Sequence, residues 1–96
     1  MHASISRFQG DPDELLARYD AMLAEVPAAN MRLHLCLRGD EGIVVIDTCP
    51  SRDVFESFFA ADGPFRGLLA RHGLPEPEVT DLPVHVAMVD GRSAAL

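Results

Sequence analysis

The chain has 96 residues, 48% of them hydrophobic, which excludes a wholly disordered chain and is enough for one domain of thin stability margin. Its formal charge is −7, from 15 acidic residues against 8 basic ones, all of them arginine. Without clustered cations that balance argues against nucleic acid and anionic membrane surfaces as partners. No stretch approaches the roughly 20 apolar residues that span a bilayer.

Met1-His2-Ala3-Ser4-Ile5-Ser6-Arg7 has no basic segment followed by an apolar run, so no signal peptide is expected and a cytoplasmic location is. The two cysteines, Cys36 and Cys49, are too few for a disulfide scaffold, and no Cys-x-x-Cys or His-x-x-x-His occurs. No metal site and no bound cofactor are expected.

Residues 2 to 9 read as a first strand anchored by Ile5 and Phe8. Asp11-Pro12-Asp13-Glu14 is a helix start: an N-cap Asp, a Pro at the first helical position and a Glu at the third. Leu15, Leu16, Tyr19, Met22, Leu23 and Val26 then form one helical stripe, and Pro27 ends it. From Met31 to Thr48 the pattern is a hairpin turning at Gly39-Asp40-Glu41-Gly42. Its second arm, Ile43-Val44-Val45-Ile46, is β-branched throughout, as an inner strand buried on both faces would be. Ser51 can cap a second helix with the stripe Val54, Phe55, Phe58 and Phe59. Gly63-Pro64 interrupts it; Phe65, Leu68 and Leu69 resume it as far as Gly73. After the Leu74–Glu78 loop, alternation of Leu82, Val84, Val86 and Met88 predicts a last strand from Val79 to Val89.

The order is βαββαβ. The expected fold class is α+β, ferredoxin-like: an antiparallel four-stranded sheet with two helices on one face. The domain runs over 1–91, with 92–96 as a frayed tail. The face away from the helices is expected to carry Ile43, Val45, Cys36, Ala87 and Val89, too apolar for solvent, so a homodimer is expected.

This layout resembles the dimeric α+β barrel superfamily, which includes antibiotic-biosynthesis-monooxygenase-like and stress-responsive barrel proteins. The stretches that carry the resemblance are Arg7 to Leu16, Gly42 to Thr48, Ser51 to Phe55, and Pro83-Val84-His85-Val86. The resemblance implies a barrel closed between two subunits and a pocket between sheet and helices. It also implies one of several activities, among them cofactor-free oxygenation, haem degradation and polyketide cyclisation. The chain has no Trp, a residue on which several of those oxygenases rely.

The turn fixes a register: Arg38 faces Ile43, Cys36 faces Val45, His34 faces Asp47 and Arg32 faces Cys49. His34 and Asp47 then sit about 5 Å apart at Cβ, where a carboxylate can orient a histidine as a general base. Alternation puts His85 on the same sheet face, so the expected catalytic group is His34, Asp47 and His85, with Arg32 beside it. By the same register Cys36 and Cys49 lie roughly 13 Å apart, too far to bond. Tyr19, Phe55, Phe59 and His72 are the further candidates for contact with a small apolar molecule; His72 also suits a helix C-terminus as a cation.

Beside a structural dimer with no pocket, two functions compete on this reading. One is a cofactor-independent monooxygenase or cyclase acting on an apolar aromatic or polyketide-like substrate. The other is a non-catalytic binding or accessory protein of the same fold.

Overall fold

Asp11 starts the first helix as its type and position dictate: its side chain accepts from Asp13 N–H, Pro12 takes the first turn, and α1 runs Pro12–Leu23. It follows strand β1, His2–Gln9. The computed structural model describes residues 1–27 and 32–94; Met31, at the expected start of the hairpin, lies outside them. β2 begins at His34 and ends at Arg38, the turn closes with Gly39 N–H donating to Gly42 O, and β3 runs Gly42–Cys49.

Ser51 caps α2, Arg52–Phe59, by accepting from Val54 N–H. Two helices were expected; the described residues form three. Ala60 and Gly63 are extended on either side of the break, and Pro64, which has no N–H to give, opens α3, Pro64–Arg71. His72 is the C-cap of α3, and Gly73 follows at φ +66°, the left-handed conformation that ends the helix.

The long last strand is not formed. β4 spans Glu78–Pro83 only. Val84 still donates to Met1 O, but the chain then leaves the sheet and makes a separate hairpin from β5, Met88–Val89, and β6, Arg92–Ser93. Asp90 and Gly91, both at positive φ (53° and 75°), make its two-residue turn. Residues 92 and 93 of the expected frayed tail are therefore paired.

The sheet order is β2-β3-β1-β4, antiparallel throughout. This is an α+β architecture compatible with a ferredoxin-like fold. The predicted hairpin register is observed: His34 opposes Asp47, Cys36 opposes Val45 and Arg38 opposes Ile43. Arg32 precedes β2, so its pairing with Cys49 is not made.

The core settles which sheet face the helices cover. Phe8 and Ile43 are buried with Leu15, Tyr19 and Met22 of α1, Leu69 of α3 and Leu74, and Cys36 and Val45 pack against them. The covered face is thus the one bearing Phe8, Ile43, Val45 and Cys36, the reverse of the expected assignment. The β-branched run of β3 has no polar side to set its parity, and the leucines of β2 pointed to the wrong face. What holds β2 the other way is its polar set: His34 bonds to Tyr19, and Arg38 Nη1 lies 2.6 Å from Asp13 Oδ1 at the start of α1.

The uncovered face is apolar all the same, with different residues. Ile5, Val44 and Ile46 alternate onto it, and Leu35, Leu37 and Leu82 are 45%, 47% and 63% exposed there. Ala87 and Val89, expected on this face, belong to the segment outside the sheet. No helix among the described residues is long and apolar enough to cross a membrane.

Candidate functional site

The central strand is unusual in its chemistry. Its covered residues are His2, Ser4, Ser6 and Phe8, three of them polar, and all four are buried. A strand beneath helices ordinarily turns its apolar residues inward; here Ala3 and Ile5 face out. Buried polar groups are retained where they have partners or a ligand.

Two histidine–carboxylate pairs stand on this floor. At one side His2 Nε2 lies 2.5 Å from Asp81 Oδ2 of β4, with Arg52 Nε 4.0 Å from the same oxygen and the Phe55 ring 5.6 Å from the imidazole. At the other, Tyr19 of α1, His34 of β2 and Asp47 of β3 form a row. The Tyr19 hydroxyl is hydrogen-bonded to His34 Nε2, the two rings stack at 6.0 Å, and His34 Nδ1 lies 3.3 Å from Asp47 Oδ1. That last contact is out of line for a hydrogen bond, so Nδ1 is a buried polar atom with no partner among the described residues. Asp47 Oδ1 is itself held by Thr48 N–H at 3.0 Å.

Burial, seconded by the charge Cys36 carries once ionised and by those of Asp20 and Asp47, pushes the Tyr19 hydroxyl up to about 12. The tyrosine therefore keeps its proton, and its hydroxyl shares one hydrogen bond with Nε2, as donor or as acceptor according to the imidazole tautomer. Burial likewise raises the thiols of Cys36 and Cys49, which keeps both as thiols rather than nucleophiles. Both cysteines are free.

A cavity of about 60 Å³ lies against this row, between the sheet and all three helices. Ser4, Ser6, His34 and Asp47 make its floor, Met22, Leu23 and Val26 one wall, and Phe58, Phe59, Phe65 and Leu68 the other. A second, open groove of about 360 Å³ runs beside it, under α2 and α3 and along β4, bordered by Phe55, Phe59, Phe65 and Val79. Arg66 and Glu76, 2.6 Å apart, form an ion pair on its rim.

The expected site residues divide accordingly. His34 and Asp47 come together as the register required, but beneath the helices and not on the opposite face. Tyr19 joins them directly. Phe55 and Phe59 line the groove, and Phe59 lines the cavity too. His85 is excluded from the constellation: β4 ends at Pro83, and His85 is exposed in the segment that leaves the sheet. Arg32 is exposed ahead of β2. His72 pairs with Glu25, which also meets Arg71 Nη2 at 3.2 Å, so it ties the ends of α1 and α3 together. His2, Ser4 and Ser6 were missed, although the signal was present: Phe8 and Ile5 have opposite parity, and the residues in phase with Phe8 are the polar ones.

Among the described residues no cluster of His, Cys, Asp or Glu could hold a metal ion. No protein-family model and no curated protein matches the sequence.

Proposed function

We propose that the chain is a small-molecule protein of the dimeric α+β barrel kind, in which the space between sheet and helices takes an apolar aromatic or polyketide-like molecule. Tyr19, His34 and Asp47 handle a proton for it, without a bound cofactor, as in a cyclase or a cofactor-independent monooxygenase. The observation that supports this most is the Tyr19–His34 hydrogen bond with Asp47 beside it, His34 and Asp47 belonging to the polar floor of a cavity whose other walls are hydrocarbon. Such a wall raises the strength of every charge interaction on the floor, and Asp47 stands where it would stabilise an imidazolium once His34 has taken a proton. Cyclisation of a carbon acid needs no more: one proton moves to the histidine and one returns to the new alkoxide.

A second reading is favoured by one detail. His34 Nε2 is already capped by the Tyr19 hydroxyl, so the row can equally be a fixed recognition element of a binding protein that does no chemistry. Naphthol, a ring with one hydroxyl, separates the outcomes. It is expected to raise the melting temperature of the wild type. His34→Gln, which keeps size and polarity, is expected to weaken its binding about tenfold, the effect of one lost hydrogen bond of about 1.4 kcal/mol. Absence of any stabilisation by naphthol, phenol or indole would count against both readings. Stabilisation with no turnover of ketone-bearing analogues selects the binding protein.

The homodimer belongs to the same proposal. On the uncovered face Leu35, Leu37, Val44, Ile46 and Ile5 form an apolar area, bordered by Arg7, Glu78 and Thr80 and with Leu82 beyond, that a second copy of the sheet would cover. Light scattering is expected to give twice the 10.4 kDa chain mass. Leu35→Glu with Leu37→Glu is expected to return the monomer; a wild-type monomer at micromolar concentration refutes the barrel.

A further inference from the structure

The cavity against His34 and the groove outside it share two walls, Phe59 of α2 and Phe65 of α3, whose ring centroids are 4.5 Å apart. The two spaces are complementary in what they lack. The cavity of about 60 Å³ has the polar floor but room for only a few water-sized groups. The groove of about 360 Å³ has the volume usual for a ligand but none of the floor residues.

The two walls are held differently. α3 is anchored by Leu69, buried in the core. α2 has no buried residue at all; Phe55, Phe58 and Phe59 are only half-buried, and they pack on one another, on Phe65 of α3 and on His2 of β1 through side-chain rings alone, with centroids at 4.6 Å for Phe55–Phe59, 5.4 Å for Phe58–Phe65 and 5.6 Å for Phe55–His2. An element so lightly buried opens locally at little cost. It is joined to α3 by a tight turn, extended at Ala60 and Gly63 and closed by Gly63 N–H donating to Ala60 O at 2.8 Å, so the change of chain direction that a hinge uses falls between that turn and Pro64.

We infer that Phe59 is a movable partition hinged against Phe65, and that the ligand site is the single volume formed when it swings aside. That volume admits a fused-ring aromatic molecule lengthwise, its rings among the phenylalanines and its hydroxyl at Ser4, Ser6 and His34. Phe59 is then the residue that sets both entry and the depth of ring that fits. This rests on the small-molecule reading above, and its test separates the two.

The probe is naphthol, followed by stopped-flow for its association rate and by the His34 imidazole NMR signals for its arrival at the floor. With the partition in place, naphthol is expected to shift the His34 signals in the wild type after a slow step. Phe59→Ala is expected to speed association about tenfold while His34 still responds. If alanine disturbs the fold by circular dichroism, Phe59→Leu carries the same test with a smaller acceleration. Naphthol that reaches His34 at a rate unchanged by either substitution leaves the binding reading intact and overturns the partition. Naphthol that perturbs only the groove residues in both proteins, with His34 silent, shows a fixed wall and also overturns it. Naphthol that binds neither protein overturns the partition and the small-molecule reading together.

Discussion

Gly42→Ala is expected to destabilise the protein by at least ~3 kcal/mol, out of a total of roughly 5–14 kcal/mol for a domain of this length. The reason is space. A Cβ on Gly42 would stand 1.9 Å from Phe8 O, 3.0 Å from Phe8 C and 3.2 Å from Gln9 Cα, all main-chain atoms of the neighbouring strand. No side chain can swing clear, so β1 and β3 must part at that end of the ladder. Parting them breaks the Gln9–Gly42 pairing and the bond from Gly10 N–H to Glu41 O, and it loosens Phe8 and Ile43, the most buried pair of the core. Gly67→Ala is the control: nothing lies within 4 Å of its added methyl, and in a helix interior it should stabilise by about 0.5–1 kcal/mol. Urea unfolding followed by circular dichroism measures both. A Gly42 variant as stable as the wild type would mean that the two strands do not approach as described.

Alkaline pH should remove a further stabilising contribution, at Tyr19. This is the chain's one tyrosine, and there is no tryptophan, so its ultraviolet phenolate band reports a single site. Burial, ahead of the nearby negative charges, raises its ionisation from 10.0 to about 12 in the folded protein. The folded state then holds this proton more tightly than the unfolded chain does. The resulting stability is complete below pH 10.0 and is lost as pH climbs to about 12, amounting to roughly 2–3 kcal/mol. Cys36, also raised by burial, adds a loss of the same sign that starts lower. Comparison with Tyr19→Phe isolates the tyrosine: the variant should lack the steep fall above pH 10. A phenolate band that develops at the ordinary value in folded protein would remove Tyr19 from the buried row.

Local chemistry was readable where a residue type has one structural use. Asp11-Pro12 and Ser51 marked their helix starts, Gly73 its helix end, and the Gly39–Gly42 turn fixed the pairing that sets His34 against Asp47. Which face those residues occupy was not readable from β2 and β3 alone. Leu35 and Leu37 imitate an inward stripe, and a one-residue shift in phase exchanges the two faces completely. Only the position of α1, through Tyr19 and Asp13, decides it, and that is a tertiary fact. The end of the sheet failed for a different reason. Val84, Val86 and Met88 continue the alternation of β4, whereas Asp90-Gly91, a turn signal in its own right, marked a separate hairpin and outweighed them.

The interior position of β1 has a consequence for how the molecule is made. Residues 2–7 wait for residues 78–83 before their second ladder can form. That flank of the sheet is completed only after residues 78–83 have been synthesised. Until then, His2 has no Asp81, and one flank of the central strand stays open to wrong partners. Biogenesis is therefore governed by a long loop closure, and chains cut short before β4 are the ones most exposed to aggregation.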